Sequence, residues 1–188
     1  EELALFQLLL ANKEMTVRSS TAFSLGRTAS DETIKQWIDV KNKLTDTRWL
    51  NASAIKFMLD GVIESHTAVM LDPYSDIPVN DPRQKNDFAV PLDIYQKRVQ
   101  WLDKEGFQLY THAIGDRSVR EALNAYEKAM KENDQRLRRH RIEHIEQINP
   151  ADLKRFRPLG ILPSMQPIHA DPGTVEVWSK AVGTARLP

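Results

Sequence analysis

At 188 residues, 41% apolar and 28% charged, the chain is long enough for one domain with a real core and has the composition of a soluble globular protein. Its 26 basic and 26 acidic residues cancel, which argues against a nucleic-acid partner, and without cysteine it can form neither a disulfide framework nor a thiolate metal site. No run approaches the ~20 apolar residues needed to cross a bilayer, and the acidic start Glu1-Glu2 does not resemble a signal peptide.

The expectation is therefore a cytoplasmic protein that acts on a small molecule, away from nucleic acid and membrane. The absence of an initiating Met and the abrupt Arg186-Leu187-Pro188 ending make the chain read as a piece of something longer. No internal repeat, low-complexity tract or Gly/Ser-rich linker divides it, so residues 1–188 are expected to form a single domain.

In chain order, a β-rich run over Thr16–Phe23 precedes a helix opening near Ser30-Asp31, with Ile34, Trp37, Ile38 and Leu44 on one face. Ala54–Leu59 is an almost continuously apolar strand, followed by a Pro/Asp/Asn-rich connection from about Gly61 to Pro91. Leu92–Glu105 has helical spacing and is stopped by Gly106; Phe107–Thr111 is the third strand. The clearest helix is Arg117–Lys131, with Val119, Ala122, Leu123, Tyr126, Ala129 and Met130 in one stripe. Arg139–Glu143 gives a fourth strand, and Asn149-Pro150 opens a short helix as cap and first residue. Ile161–Met165 is the fifth strand. Strand–helix alternation of this kind predicts an α/β fold with a parallel sheet, and the spacing favours part of a (β/α)8 TIM-type barrel. An open doubly wound sheet is the rival, but no Gly-rich phosphate turn follows any strand.

Catalytic groups of a barrel gather at the C-terminal ends of its strands. His112 closes the third strand and His144 the fourth; neutral imidazoles at adjacent strand ends, ~4.8 Å apart, can share one ion. The bland alternative makes each a hydrogen-bonded histidine in a polar loop. Lys56 lies inside a strand whose faces should both be covered, where an ammonium needs a partner. Asp60 is four residues on, ~13 Å along a strand, so pairing with it demands a bend; a distant carboxylate could serve instead. A third account is reaction of the amine with carbon dioxide to give an anionic carbamate. His169 follows the fifth strand, His66 lies in Glu64-Ser65-His66, and His140 sits in the basic run Arg136–Arg141, read as a solvated approach to a strand. Glu143 and Asp116 are expected to orient a neighbouring histidine or an arginine.

Four segments in order carry a family resemblance: Lys56-Phe57-Met58-Leu59-Asp60-Gly61 with Thr67-Ala68 and Pro73-Tyr74; His112-Ala113-Ile114-Gly115-Asp116-Arg117; Arg141-Ile142-Glu143-His144; and Met165-Gln166-Pro167 with His169. From Thr16 onward the chain resembles the YtcJ-like amidohydrolases, the amidohydrolase family 3 branch of a superfamily of metal-dependent hydrolases that includes N-substituted formamide deformylases. The resemblance implies a distorted barrel, here about its strands three to seven, and hydrolysis of a non-peptide amide or other C–N bond through a metal-bound hydroxide. It implies one or two divalent ions, zinc by preference. Lys56, in carbamylated form, is implied as the ligand from barrel strand four, with His112 and His144 as those from strands five and six. It places Gln166, His169 and His66 toward the substrate. The His-x-His pair of strand one and the aspartate of strand eight do not occur here, so this segment is expected to be inactive alone. Its open sheet edges are expected to drive dimerisation. Two other readings stay open: a non-catalytic binding or regulatory protein on the same barrel, and a metal-free hydrolase using Asp60 and Glu143.

Overall fold

The computed structural model describes residues 2–44, 48–85 and 87–187. Helix α1 (Glu2–Ala11) is followed by strand β1 (Ser19–Leu25), α2 (Asp31–Lys43) and β2 (Leu50–Met58). After the long connection come α3 (Leu92–Lys104), β3 (Gln108–Ala113), α4 (Asp116–Glu132) and β4 (Arg141–His144). The short helices α5 (Pro150–Leu153) and α6 (Phe156–Leu159), strand β5 (Leu162–Ser164) and helix α7 (Pro172–Val182) complete the order.

The helices start where the local chemistry provides for them. Ser30 caps α2 by accepting from Thr33 N, Asn149 caps α5 from Ala151 N, and Asp171 caps α7 from the N–H groups of Gly173 and Thr174. Gly160, left-handed at φ 60°, ends α6. Helix α4 is the most firmly held: Val119, Ala122, Leu123, Tyr126 and Ala129 are buried along one side, each large apolar side chain worth roughly 1.5–3 kcal/mol on leaving water.

All five strands run parallel and pair in sequential order, β1-β2-β3-β4-β5. A doubly wound sheet reverses its order at a switch point; an unbroken sequential order is that of an arc of a singly wound barrel. Register assigns the two faces. Ile55 pairs with Leu109, and Phe57 with Thr111, which pairs with Ile142; these lie against α2, α3 and α4 in the main core. The opposite face carries Lys56, Tyr110 and Arg141 in one row, and Met58, His112 and Glu143 in the next. Buried hydroxyls tie the layers together: Thr111 Oγ1 bonds Tyr95 OH at 2.9 Å and Tyr126 OH at 2.7 Å.

Sequence and structure differ in several places; strand β2, for one, begins at Leu50 rather than Ala54. Strand β1 begins at Ser19 rather than Thr16, since that is where pairing with Leu50 begins. Helix α1 has apolar residues on every side and no buried residue, so it offers no periodic stripe. Helix α7 was not expected, although Asp171 as cap, Pro172 at its first turn and Gly183 after it are helix signals. The long connection is not featureless: Ile63, Ala68, Met70 and Tyr74 join Ile114, Ala181 and Val182 in a second core beneath α7. No helix among the described residues is long and apolar enough to cross a membrane.

Candidate metal centre

Asp60, two residues beyond β2, organises the strand ends. Its carboxylate accepts from Val69 N (3.0 Å), Ile114 N (3.0 Å) and Gly115 N (2.9 Å), so it joins the connection after β2 to the turn after β3. Burial pushes its carboxyl up, against those three N–H groups. Gly115 is required there because a Cβ would stand 2.2 Å from Val69 O. The turn is the one that follows His112. His112 Nε2 lies 2.9 Å from Gly61 O, and a carbonyl only accepts, so Nε2 carries the proton and Nδ1 keeps the lone pair.

His144 reaches His112 through strained backbone. Strand alternation would turn its side chain away from Glu143, toward the helices; instead His144 (φ 76°) and Ile145 (φ 56°) are both left-handed. Such residues cost about 1–3 kcal/mol each. Bonds from Ile145 N to Ala113 O (3.1 Å) and Gln147 N to Ile114 O (3.0 Å) hold the turn. The outcome is an edge-to-face contact of the two imidazoles, centroids 4.5 Å apart. His144 Nδ1 is buried without a partner. Burial, then the neighbouring His112 and Lys56, push this imidazole down to about 4, against a hydrogen bond with Gln166. A neutral imidazole with an unpartnered nitrogen suits a cation.

His169 lies on the other side of His144, its ring stacked on it at 5.2 Å and 9°. Its Nδ1 is 2.6 Å from Glu146 Oε1. Glu146 did not stand out in the sequence; a lone glutamate two residues past a strand end carries no pattern.

Lys56 finds its partner two strands away. Nζ bonds Glu143 Oε2, while Glu143 Oε1 takes Arg141 Nη2 at 2.7 Å and the Arg141 guanidinium lies 3.6 Å over the Tyr110 ring. Burial alone would push the Glu143 carboxyl up; Lys56 and Arg141 hold it below its ordinary value. The counter-ion of Lys56 is thus a distant carboxylate and not Asp60. With Asp60 held by backbone N–H groups and Glu143 by two cations, neither carboxylate is placed for metal-free acid–base work.

Other candidates go elsewhere. His66 (φ 57°) bonds Asp76 Oδ1 at 2.9 Å and packs edge-on against Tyr74. Asp116 accepts from Leu71 N at 2.8 Å, orienting neither a histidine nor an arginine by hydrogen bond. The run Arg136–Arg141 is not a solvated approach: Arg138 and His140 are buried, and with Arg136 they converge on Asp103 Oδ1 at 2.7–3.0 Å. The buried Asp103, invisible as a partner in sequence, draws these bases inward.

Among the described residues, no three His, Asp or Glu side chains form a group that could hold a metal ion together. His112 and His144 fit two positions of a ligand set, with Lys56 on the same sheet face as His112.

Comparison with known proteins bears on the family and the fold. The sequence profile of the amidohydrolase family matches residues 1–187. The protein LONG AFTER FAR-RED 3 of Arabidopsis thaliana is 30% identical over 167 residues, covering 85% of this chain and 26% of that protein. The putative amidohydrolase YtcJ of Bacillus subtilis is 26% identical over 136 residues, 72% of this chain and 24% of its own length. Crystal structures of uncharacterised metal-dependent hydrolases from Pyrococcus horikoshii and Pyrococcus furiosus superpose with TM-scores of 0.75 at 20% and 23% identity, each over 98% of this chain. The chain spans about a quarter of the length of these curated relatives and about a third of those crystallised chains.

Proposed function

Since this chain belongs to the amidohydrolase family, we propose that the protein hydrolyses the amide or another non-peptide C–N bond of a small molecule with the help of one or two divalent ions. The observation that carries the reading is the pair His112 and His144, edge to face at 4.5 Å, with His144 Nδ1 buried and unpartnered. A buried ring nitrogen without a partner costs stability unless a ligand uses it.

His112, His144 and Lys56 are this chain's share of the ligands. Bound there, a divalent ion would polarise the scissile carbonyl and lower the pKa of a water. Zinc is the ion of choice, because imidazole with oxygen donors suits it and needs no thiolate. The chain's own residues prepare the site. Gly61 O fixes the His112 tautomer, so that Nδ1 offers its lone pair. Gln166, beside the His144 ring, would steady it, and His169, stacked on the same ring, would face the substrate. For His66, tied to Asp76, the proposed place is the outer wall of the substrate approach. Lys56 would become a ligand on leaving Glu143: its ammonium loses a proton, the amine nitrogen bonds the carbon of carbon dioxide, and a second proton leaves to give the carbamate. Balanced charge supports a small-molecule substrate over nucleic acid, and the cytoplasm is the proposed location.

The test uses the full-length protein on a panel of simple amides and formamides. Hydrolysis that stops with a chelator and returns with zinc supports the reading; hydrolysis indifferent to chelator sinks it. The second reading, a binding protein on the same barrel, is favoured by one observation: no complete ligand group exists among the described residues. It predicts amide binding without turnover at any metal concentration.

A further inference from the structure

Charged side chains of α3 and α4 find partners within the fold almost throughout. On α3, Lys97 pairs with Asp93, Arg98 donates to Ala29 O, and Asp103 gathers Arg136 and Arg138. On α4, Arg120 pairs with Asp152, Glu127 with Lys131 and Arg155, and Lys128 with Glu132. Lys104, in the last turn of α3, has neither a hydrogen bond nor an ion pair among the described residues. Asp134, just past the end of α4, gives its carbonyl to Arg138 Nη2, but its carboxylate has no partner among them.

Both residues line one cavity of about 510 Å³, a volume in the range of small-molecule sites. Gln100, Trp101 and Lys104 supply its α3 wall, and Glu132, Asn133 and Asp134 the wall opposite. The two walls are tied together beforehand: Asn133 Nδ2 donates to Gln100 O at 2.9 Å and to Asp103 Oδ2 at 2.8 Å, and Gln100 Nε2 donates to Glu132 Oε2. Trp101 is half-buried against the main core, and at i, i+3 it shares a helix face with Lys104. The carbonyls that end α4 favour positive charge beside Asp134, while Lys104 offers positive charge on the other wall. Lys104 and Asp134 do not pair with each other, so one cavity presents an unpaired cation, an unpaired anion and an indole.

The cavity is remote from the strand-end histidines. Helices α3 and α4 end beside the first residues of β3 and β4, Gln108 and Arg141, whereas His112 and His144 stand at the other ends of those strands. A ligand here would touch neither.

We propose that this cavity is a second small-molecule site, which takes a zwitterion: an α-amino acid with an apolar side chain. Its carboxylate meets Lys104, its ammonium meets Asp134, and its side chain lies against Trp101. The proposal goes beyond the hydrolase reading and does not depend on it. A ligand with only one of the two charges forfeits one exposed charge pair, a loss of up to about fivefold in affinity.

The experiment is calorimetric titration of the full-length protein with L-phenylalanine, 3-phenylpropionate and 2-phenylethylamine. L-Phenylalanine is expected to bind once per chain with a Kd of about 1 mM, and each singly charged analogue about three- to fivefold more weakly. Lys104→Met should weaken L-phenylalanine by about the same factor and leave 2-phenylethylamine unchanged; Asp134→Asn should weaken it likewise and leave 3-phenylpropionate unchanged. Both side chains are exposed, so neither change threatens the fold. Binding should persist after a chelator has stripped the protein of metal. No binding of L-phenylalanine overturns the proposal, as does a Kd unmoved by Lys104→Met and Asp134→Asn. Binding that disappears on chelation places the ligand at the metal centre and overturns it too.

Discussion

Lys56 and Glu143 form an ion pair across an intervening strand, from β2 over β3 to β4, with Arg141 as the second cation on the carboxylate. Strands two apart lie ~9.6 Å from each other, so only long side chains on the same face can meet this way. The pair gives Lys56 a partner that the apolar strand around it could not suggest. It also sets a condition on carbamylation, because Lys56 cannot hold Glu143 as an ammonium and an ion as a carbamate at once.

Glu143→Gln removes that competition and is expected to increase carbamate formation. Full-length protein equilibrated with 13C-bicarbonate and zinc should show a carbamate signal in 13C NMR that is stronger in Glu143→Gln and absent in Lys56→Ala. A signal that persists in Lys56→Ala, or none in either other protein, removes the carbamate from the account.

Gly115→Ala puts a Cβ against Val69 O, where backbone must move. The turn after His112 would separate from the connection after β2, and Asp60 would lose donors it needs in a buried place. The expected cost is about 3 kcal/mol or more, measured by chemical denaturation. A loss below ~1 kcal/mol would mean that the Asp60 junction tolerates opening.

Stability should fall as pH drops from 7 toward 4. Burial pushes His140 below its ordinary 6.5 despite its bond to Asp103, and His144 goes down to about 4. The unfolded chain takes up these protons near 6.5 while the folded chain does not, so in this window stability rises with pH. Below about 4 the sign is the same for Asp103: burial raises its carboxyl, but bonds from His140, Arg138 and Asn133 outweigh that and hold it well down. Denaturation at pH 7.5 and 5.0 checks this, and His140→Gln should flatten the difference. Equal stability at both pH values contradicts it.

How much could be read beforehand depended on whether a signal was local. Ser30, Asn149-Pro150 and the stripe of α4 named their helices, and sequential short apolar strands implied the parallel order. His112 and His144 were legible as strand-end histidines. What joins them was not: the left-handed turn at His144 and Ile145 has no glycine to announce it. Partners far apart in sequence were equally hidden, as with Lys56 and Glu143, Glu146 and His169, and Asp103 under its basic run. Each is set by register and by side-chain length, which one strand or loop does not display.

The 188-residue chain by itself should self-associate. Leu5, Leu8 and Leu9 of α1 are 64%, 57% and 38% exposed, and β1 and β5 are sheet edges. Light scattering is expected to report a dimer or larger, and Leu5→Lys with Leu8→Lys to reduce it. A monomer at high concentration would refute this.

The central claim is that His112 and His144 hold a catalytic ion together. Its most direct test is elemental analysis of the full-length protein beside its His112→Ala and His144→Ala variants, with amide hydrolysis measured on the same samples. The account predicts one or two divalent ions per wild-type chain, loss of metal in each variant, and activity reduced by a hundredfold or more. Variants that keep both the wild-type metal content and the wild-type rate would contradict it.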